Sequence, residues 1–193
     1  YLADYKSVDY PAEYQTDGHY ATDNVQLLSM LDTVSAELIR RRHLMSASGC
    51  NHLDVYNSRY NDKLRRIVVV LDETSMILDA TGRDKNEKSE IATITGHLLT
   101  IGRLGRAMGI HLIIATQRPD VASVPGALKA QLDGRLCGHA SDAQSSIVIL
   151  DDGSGAKLPA IPGRFIVRDG TGDEIIIQAY LYQTNQIQNT GKE

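Results

Sequence analysis

Ile67-Val68-Val69-Val70-Leu71 is a continuous apolar run that closes on two acids, Asp72 and Glu73. Apolar on both faces and rich in β-branched residues, it predicts a central strand of a parallel sheet. Such a strand delivers its terminal acids to the carboxyl edge of the sheet, where open α/β folds take their ligands. Downstream, Ile91, Ile94, Leu98, Ile101 and Leu104 recur at helical spacing and predict a helix from about Ser89 to Met108, stopped by Gly109. Ile110 to Ala115 reads as the next buried strand, ending at Thr116-Gln117-Arg118-Pro119.

Working upstream, Val25, Leu28, Leu31, Val34, Leu38 and Met45 form another helical stripe, capped by Thr22 or Asp23 and ended by Gly49. Arg40, Arg41 and Arg42 near its end suit the helix dipole. Tyr1 to Lys6 reads as a strand already under way, so the chain is expected to start inside a domain. The polar, Tyr-rich stretch to Tyr20 reads as loop. Past the second strand, Val121 to Leu132 is a loop leading into a short helix, Arg135 to Ala140 a strand, and Ser141 to Leu150 a short helix. Gly163 to Arg168 and Glu174 to Tyr182 flank Asp169-Gly170-Thr171-Gly172 as a β-hairpin. Strands alternating with helices give an α/β fold, mainly parallel and flanked by helices, with an antiparallel edge hairpin. One domain over residues 1–182 and a polar tail over 183–193 are expected.

Composition narrows the function. With 42% hydrophobic and 23% charged residues in 193, the chain is an ordinary globular one, which excludes disorder as the main reading. A formal net charge of −4 excludes an overall basic nucleic-acid clamp and leaves a local basic patch open. Nine Tyr, one Phe and no Trp make a thin base-stacking platform. Cys50 and Cys137 form no CxxC pair and read as reduced core thiols. No apolar run approaches the roughly 18 residues of a membrane span.

An apolar strand followed by two carboxylates is the Walker B pattern of P-loop ATPases. The first acid can hold Mg²⁺ and the second can polarise the attacking water. Strand ends also meet solvent, so two acids there have a plain alternative reading. Gln117, at the end of the neighbouring strand, suits a sensor of the γ-phosphate or the attacking water; a Gln satisfied in a turn is the alternative. His19, His43, His52, His97, His111 and His139 show no metal spacing. Gly102, Gly105 and Gly109 belong to a helix end and its close packing, not to a dinucleotide fingerprint.

These residues carry a family resemblance. The chain resembles the motor domain of the FtsK/SpoIIIE family of DNA translocases. The matching stretches are Leu2-Ala3-Asp4-Tyr5-Lys6; Arg41-Arg42 with Met45; Tyr56-Asn57; the Walker B run; Gly105-Arg106-Ala107-Met108-Gly109-Ile110-His111-Leu112; Ala115-Thr116-Gln117-Arg118-Pro119; and Gly126-Ala127-Leu128-Lys129-Ala130. The resemblance runs from residue 2 to about 182. It implies a RecA-like P-loop ATPase core, a hexameric ring, ATP with Mg²⁺, and double-stranded DNA in the pore. It assigns Asp72 to Mg²⁺, Glu73 to the catalytic base and Gln117 to the sensor. Asp4, Lys6, Thr116 and Arg135 are expected on the nucleotide side. Arg106 is the first choice for an arginine acting on a neighbouring subunit, ahead of Arg135, Arg118 and Arg103.

Two departures from the family pattern stand out. No Gly-x-x-x-x-Gly-Lys-Ser/Thr occurs in the chain, so the phosphate-cradling P-loop would lie upstream of Tyr1, and the 193 residues alone should bind nucleotide poorly. Ser146-Ile147 stands where the family commonly has Ser-Arg. The segment Pro162 to Gly170 is similar to members on integrative conjugative elements. The loop with Arg83, Lys85 and Lys88, and the loop before Lys129, are candidate DNA-contacting loops or ordinary solvated ones. A cytoplasmic domain of a parent anchored to the inner face of the membrane is implied, with membrane or secretion partners outside this chain. Two other readings are a type VII secretion ATPase moving proteins and a degenerate, non-hydrolysing docking module.

Overall fold

The computed structural model describes residues 1–180, so the predicted tail over 183–193 and the end of the last strand at Tyr182 lie outside the described residues. The chain forms two units, Tyr1–Leu132 and a second from Asp133 onward.

The first unit is a parallel sheet in the order β2-β1-β3-β4. Its strands are β1 (Leu2–Asp4), β2 (Tyr20–Ala21), β3 (Ile67–Asp72) and β4 (Ile110–Ile114). β3 pairs with β1 on one side and β4 on the other, and is central as expected. It is not buried on both faces. Val69 and Leu71 are fully buried, whereas Val68 is 40% exposed and Ile113 on β4, the register partner of Val70, is 52% exposed. Strand side chains alternate, so Ala3, Val69, Leu71 and Ile110 share one core with the two long helices and the other set does not.

Those helices are α1 (Asn24–Ala47) and α4 (Lys85–Met108). Asp23 caps α1, accepting the Gln26 N–H at 2.8 Å. Its buried stripe is Leu27, Met30, Leu31, Val34, Leu38, Arg41 and Met45, with Val25 exposed. Arg41 is therefore not a solvated cation. It donates through Nε to Glu37 Oε1 at 2.6 Å and through Nη1 to the Met108 carbonyl at 2.9 Å, satisfying the end of α4 from the side of α1. α4 starts four residues earlier than its apolar stripe suggests because Asp84 and Glu87 form a capping box. Gly105 takes the inward place expected of Leu104, which is 42% exposed.

Three short helices complete the unit: α2 (Leu53–Arg59), α3 (Thr74–Leu78) and α5 (Gly126–Lys129). The first two carry too few residues for a periodic signal. Gly109 ends α4 at φ 70°, and a Cβ there would lie 2.2 Å from Leu53 Cδ2, so both its backbone and its space require glycine.

The second unit is a separate antiparallel sheet in the order β5-β6-β7: β5 (Arg135–Cys137), β6 (Arg164–Arg168) and β7 (Glu174–Gln178). The hairpin stands where expected, with Ile166 opposite Ile176, but it extends β5 and not the parallel sheet. β5 ends at Cys137, short of Ala140. α6 (Ala143–Leu150) is capped by Asp142, and α7 (Ser154–Lys157) follows. Cys137, Ala140, Leu150, Leu158 and Ile166 form the small core of this unit. Ser146 is buried; its hydroxyl donates to the Asp152 carbonyl at 2.7 Å and accepts from Gly155 N at 2.9 Å. Ile147 beside it is 40% exposed. Cys50 and Cys137 are both free and buried.

Candidate functional site

β1 and β3 end together. Asp4 and Asp72 are register partners, so the sheet brings two carboxylates to one edge. Asp4 is 1% exposed and fully engaged: Oδ1 accepts the Lys6 and Ser7 N–H groups, each at 3.1 Å, and Oδ2 accepts the Tyr20 hydroxyl at 2.9 Å. The tight turn this makes brings Asp9 back. One carboxylate oxygen from each of Asp4, Asp9 and Asp72 lies within 4.8 Å of the others. Burial pushes the Asp72 carboxyl above its ordinary value, against the pull of Lys6 and the Glu73 N–H, and the charges of Asp9 and Asp4 add to the rise.

Glu73 follows in the left-handed region, φ 51° and ψ 65°, and starts α3. A non-glycine residue holds that conformation only when its surroundings impose it. Here they do. The Glu73 carboxylate is 6% exposed, and Oε1 accepts the Ser75 hydroxyl at 2.6 Å and the Thr116 hydroxyl at 2.8 Å. The Gln117 N–H reaches both carboxylate oxygens, at 3.3 and 3.2 Å. Lys6 Nζ lies 3.7 Å from Oε2 and 3.6 Å from Asp9 Oδ2. Burial raises the Glu73 carboxyl, but the hydrogen bonds from Ser75, Thr116 and Gln117 together with Lys6 outweigh it, and the net direction is down. Thr74, next in sequence, is fully buried, and its hydroxyl has no partner among the described residues.

The structure thus gathers Asp4, Lys6, Asp72, Glu73, Thr116 and Gln117 at one edge. Two details differ from the sequence-based expectation. Gln117 meets Glu73 through its backbone N–H, while its side chain is exposed. Thr116 serves the glutamate, with its hydroxyl oxygen also accepting the Arg118 N–H at 3.1 Å. Ser75, Asp9 and Tyr20 were not legible as site residues. Only Ser75, two positions after Glu73, carried a local signal.

Arg106 is not part of this cluster. It stands in the last turn of α4, at the amino edge of the sheet, where Ile110 pairs with Ile67. Five strand residues separate that edge from Asp72, about 16 Å. Arg103 is exposed on the same helix. Arg135 belongs to the second unit, where it donates to the Ile149 carbonyl at 3.3 Å and pairs with Asp151. In the loop before α4, Arg83 bonds Glu87 at 3.0 Å and the Met76 carbonyl at 3.2 Å, while Lys85 and Lys88 are exposed.

The donor set of Asp4, Asp9 and Asp72 is all carboxylate oxygen, which suits a hard cation such as Mg²⁺ and not a soft one. The residues present do not make a phosphate cradle. There is no Gly-x-x-x-x-Gly-Lys-Ser/Thr run, and the ammonium of Lys6 is held between two acids. What stands at this edge is a group of three carboxylates beside a glutamate held by hydrogen-bond donors, without a phosphate cradle.

No protein-family model matches the chain. Among curated proteins it is similar to the DNA translocase FtsK of Caldanaerobacter subterraneus subsp. tengcongensis, 31% identical over 138 residues, covering 71% of this chain and 18% of the relative. It is 33% identical over 134 residues to the DNA translocase FtsK of Campylobacter jejuni, covering 67% of this chain and 13% of the relative. The chain therefore spans less than a fifth of the length of these relatives. Among solved structures it is similar to the pCW3 conjugation coupling protein TcpA, in a monomer form with ATPγS: TM-score 0.89, 30% identity, 96% of this chain and 53% of that one. The cytoplasmic domain of the Thermomonospora curvata type VII secretion ATPase EccC shares the fold at TM-score 0.63 and 24% identity, over 84% of this chain and 19% of that one.

Proposed function

The chain belongs to the FtsK/SpoIIIE family of motor domains, and from that premise we propose that it supplies the metal- and water-side half of an ATP-hydrolysing site that drives double-stranded DNA. The observation that carries this reading is the closure of Thr116 and Gln117 on Glu73, one residue beyond Asp72 at the carboxyl edge. Structural likeness to a conjugation coupling protein favours conjugative transfer over segregation as the setting.

In this reading Asp72 holds Mg²⁺, with Asp9 and Asp4 close by. The ion supplies positive charge where phosphate oxygens develop negative charge. Glu73, held ionised by its donors, orients and accepts a proton from the attacking water. The exposed Gln117 side chain senses the γ-phosphate. Phosphates themselves need a P-loop that these 193 residues do not contain, so the chain alone binds nucleotide poorly. Arg106 is assigned to a neighbouring subunit's site in a hexameric ring, because it lies far from its own. Arg83, Lys85 and Lys88, with Lys129, take DNA phosphates. The family reading makes this the cytoplasmic part of an anchored motor; separately, no helix among the described residues is long and apolar enough to cross a membrane.

The test is ATP hydrolysis by the full-length protein, with and without double-stranded DNA, across a salt series. Stimulation that fades as salt rises is expected, since phosphate contacts release counterions. Glu73→Gln should leave ATP binding intact and stop turnover but for a small residual rate. Hydrolysis indifferent to DNA favours a protein-moving motor of the type VII secretion kind, whose fold this chain shares. No hydrolysis at all favours a docking module.

A further inference from the structure

Ser75 and Thr116 contact neither each other's strand nor each other's loop by sequence, yet both hydroxyls end on the same carboxylate oxygen. Ser75 Oγ and Thr116 Oγ1 donate to Glu73 Oε1 at 2.6 and 2.8 Å, and the Gln117 N–H reaches that oxygen at 3.3 Å. A carboxylate oxygen offers about two lone-pair directions. Oε1 is therefore saturated. Oε2 has the Gln117 N–H at 3.2 Å and Lys6 Nζ at 3.7 Å, the latter beyond hydrogen-bond length.

We infer that Ser75 and Thr116 are positioning residues: they pin Oε1, so that Oε2 is the oxygen of Glu73 that meets the attacking water. The inference rests on the ATPase reading above and adds which atom acts and what aims it. Three features support aim over mere burial. The donors come from two segments 41 positions apart, Ser75 from the first turn of α3 and Thr116 from just beyond the end of β4. The Thr116 hydroxyl oxygen also accepts the Arg118 N–H at 3.1 Å, which steadies the side chain that donates to Glu73. The backbone of Glu73 is held left-handed by bonds on either side: Thr74 N–H to the Ala115 carbonyl and Met76 N–H to the Glu73 carbonyl, both 2.9 Å. A carboxylate fixed at its backbone and at one oxygen has only the other oxygen to offer, in one place. Neutral hydroxyls do this without cancelling its charge, as a second lysine would.

The experiment compares Ser75→Ala, Thr116→Val and Thr116→Ser with wild type in the full-length protein, measuring kcat and KM for ATP, and repeats the first two in a Glu73→Gln background. Each loss of a hydroxyl should lower kcat about tenfold or more while KM moves less than about twofold, because a misaimed water is a transition-state defect. Thr116→Ser, which keeps the hydroxyl, should recover most of the rate. In the Glu73→Gln background neither loss should lower the residual rate further. Hydrolysing wild type with unchanged kcat in the variants, failed rescue by serine, or losses that add to Glu73→Gln would overturn the positioning role and leave the ATPase reading standing. A wild-type protein that binds ATP and never hydrolyses it would overturn both.

Discussion

Asp4 and Asp72 lie side by side as register partners at the ends of two parallel strands, with Asp9 folded back beside them. Carboxylates at that spacing repel unless a cation or protons intervene; the Asp72 carboxyl is raised chiefly by burial, and the charges of Asp9 and Asp4 add to the rise. A divalent oxygen-seeking cation should relieve this. Millimolar Mg²⁺ is expected to raise the unfolding midpoint of the chain by about 3 °C, as a ligand at some ten times its Kd would. Asp72→Asn should lose that response. Calorimetry or thermal fluorescence with and without EDTA reads it, and an unresponsive wild type removes Asp72 as a metal ligand.

The acid limb of stability should run through Glu37. Its carboxyl is held down to about 2 from 4.5, by Arg40 first and then, against the opposing effect of burial, by Arg41. A carboxyl depressed in the folded state takes up protons more readily when unfolded. Its contribution is complete above pH 4.5 and is lost as pH falls from there toward 2. Glu37→Gln should therefore flatten the fall in stability over that window and lower stability at neutral pH. Arg41→Met should cost about 2 kcal/mol at neutral pH, because it also strips the Met108 carbonyl of its donor. Urea unfolding at a series of pH values checks both.

Two glycines in α4 should respond to alanine with opposite signs. A Cβ on Gly105 would stand 2.5 Å from the Ile110 carbonyl oxygen, which is backbone and cannot swing away. A Cβ on Gly96 meets nothing within 4 Å. Alanine gains about 1 kcal/mol in a helix interior over glycine. Gly96→Ala should show most of that gain. Gly105→Ala should lose about 2 kcal/mol or more, since overpacking against fixed atoms outweighs propensity. Denaturant midpoints of the two variants decide it.

Thr74 is fully buried with an unpartnered hydroxyl. Its backbone is well used, with its N–H on the Ala115 carbonyl, so only the side-chain oxygen is spare. Thr74→Val keeps the shape and removes the desolvated group, and should stabilise the chain by about 1 kcal/mol. A loss of stability would mean that the hydroxyl has a partner in solution.

The elements legible in the sequence were those set by local chemistry. The Ile67–Leu71 run, the Asp23 cap, the Gly109 stop and the hairpin at Asp169–Gly172 each announce themselves within a few residues. Asp72, Glu73, Thr116 and Gln117 were readable as strand-end residues for the same reason. What was not legible depends on pairing at long range. That Thr116 reaches Glu73, and that Gln117 does so by its backbone, follows from the register of β3 against β4. Arg41 reads as a surface cation until α4 is laid against α1.

The central strand itself gives the sharpest contrast. Five consecutive apolar residues, Ile67 to Leu71, carry no alternation, so the sequence alone cannot tell a strand covered on both faces from one covered on one. The structure assigns Val69 to the core at 0% exposure and leaves Val68 at 40%. Val69→Ala should cost about 2 kcal/mol, the loss of two buried methyl groups and the space they filled. Val68→Ala should cost well under half of that, and Val68→Thr, which keeps β-branching, should stay within about 0.5 kcal/mol of wild type. Equal costs at the two positions would show that Val68 is covered in solution as Val69 is.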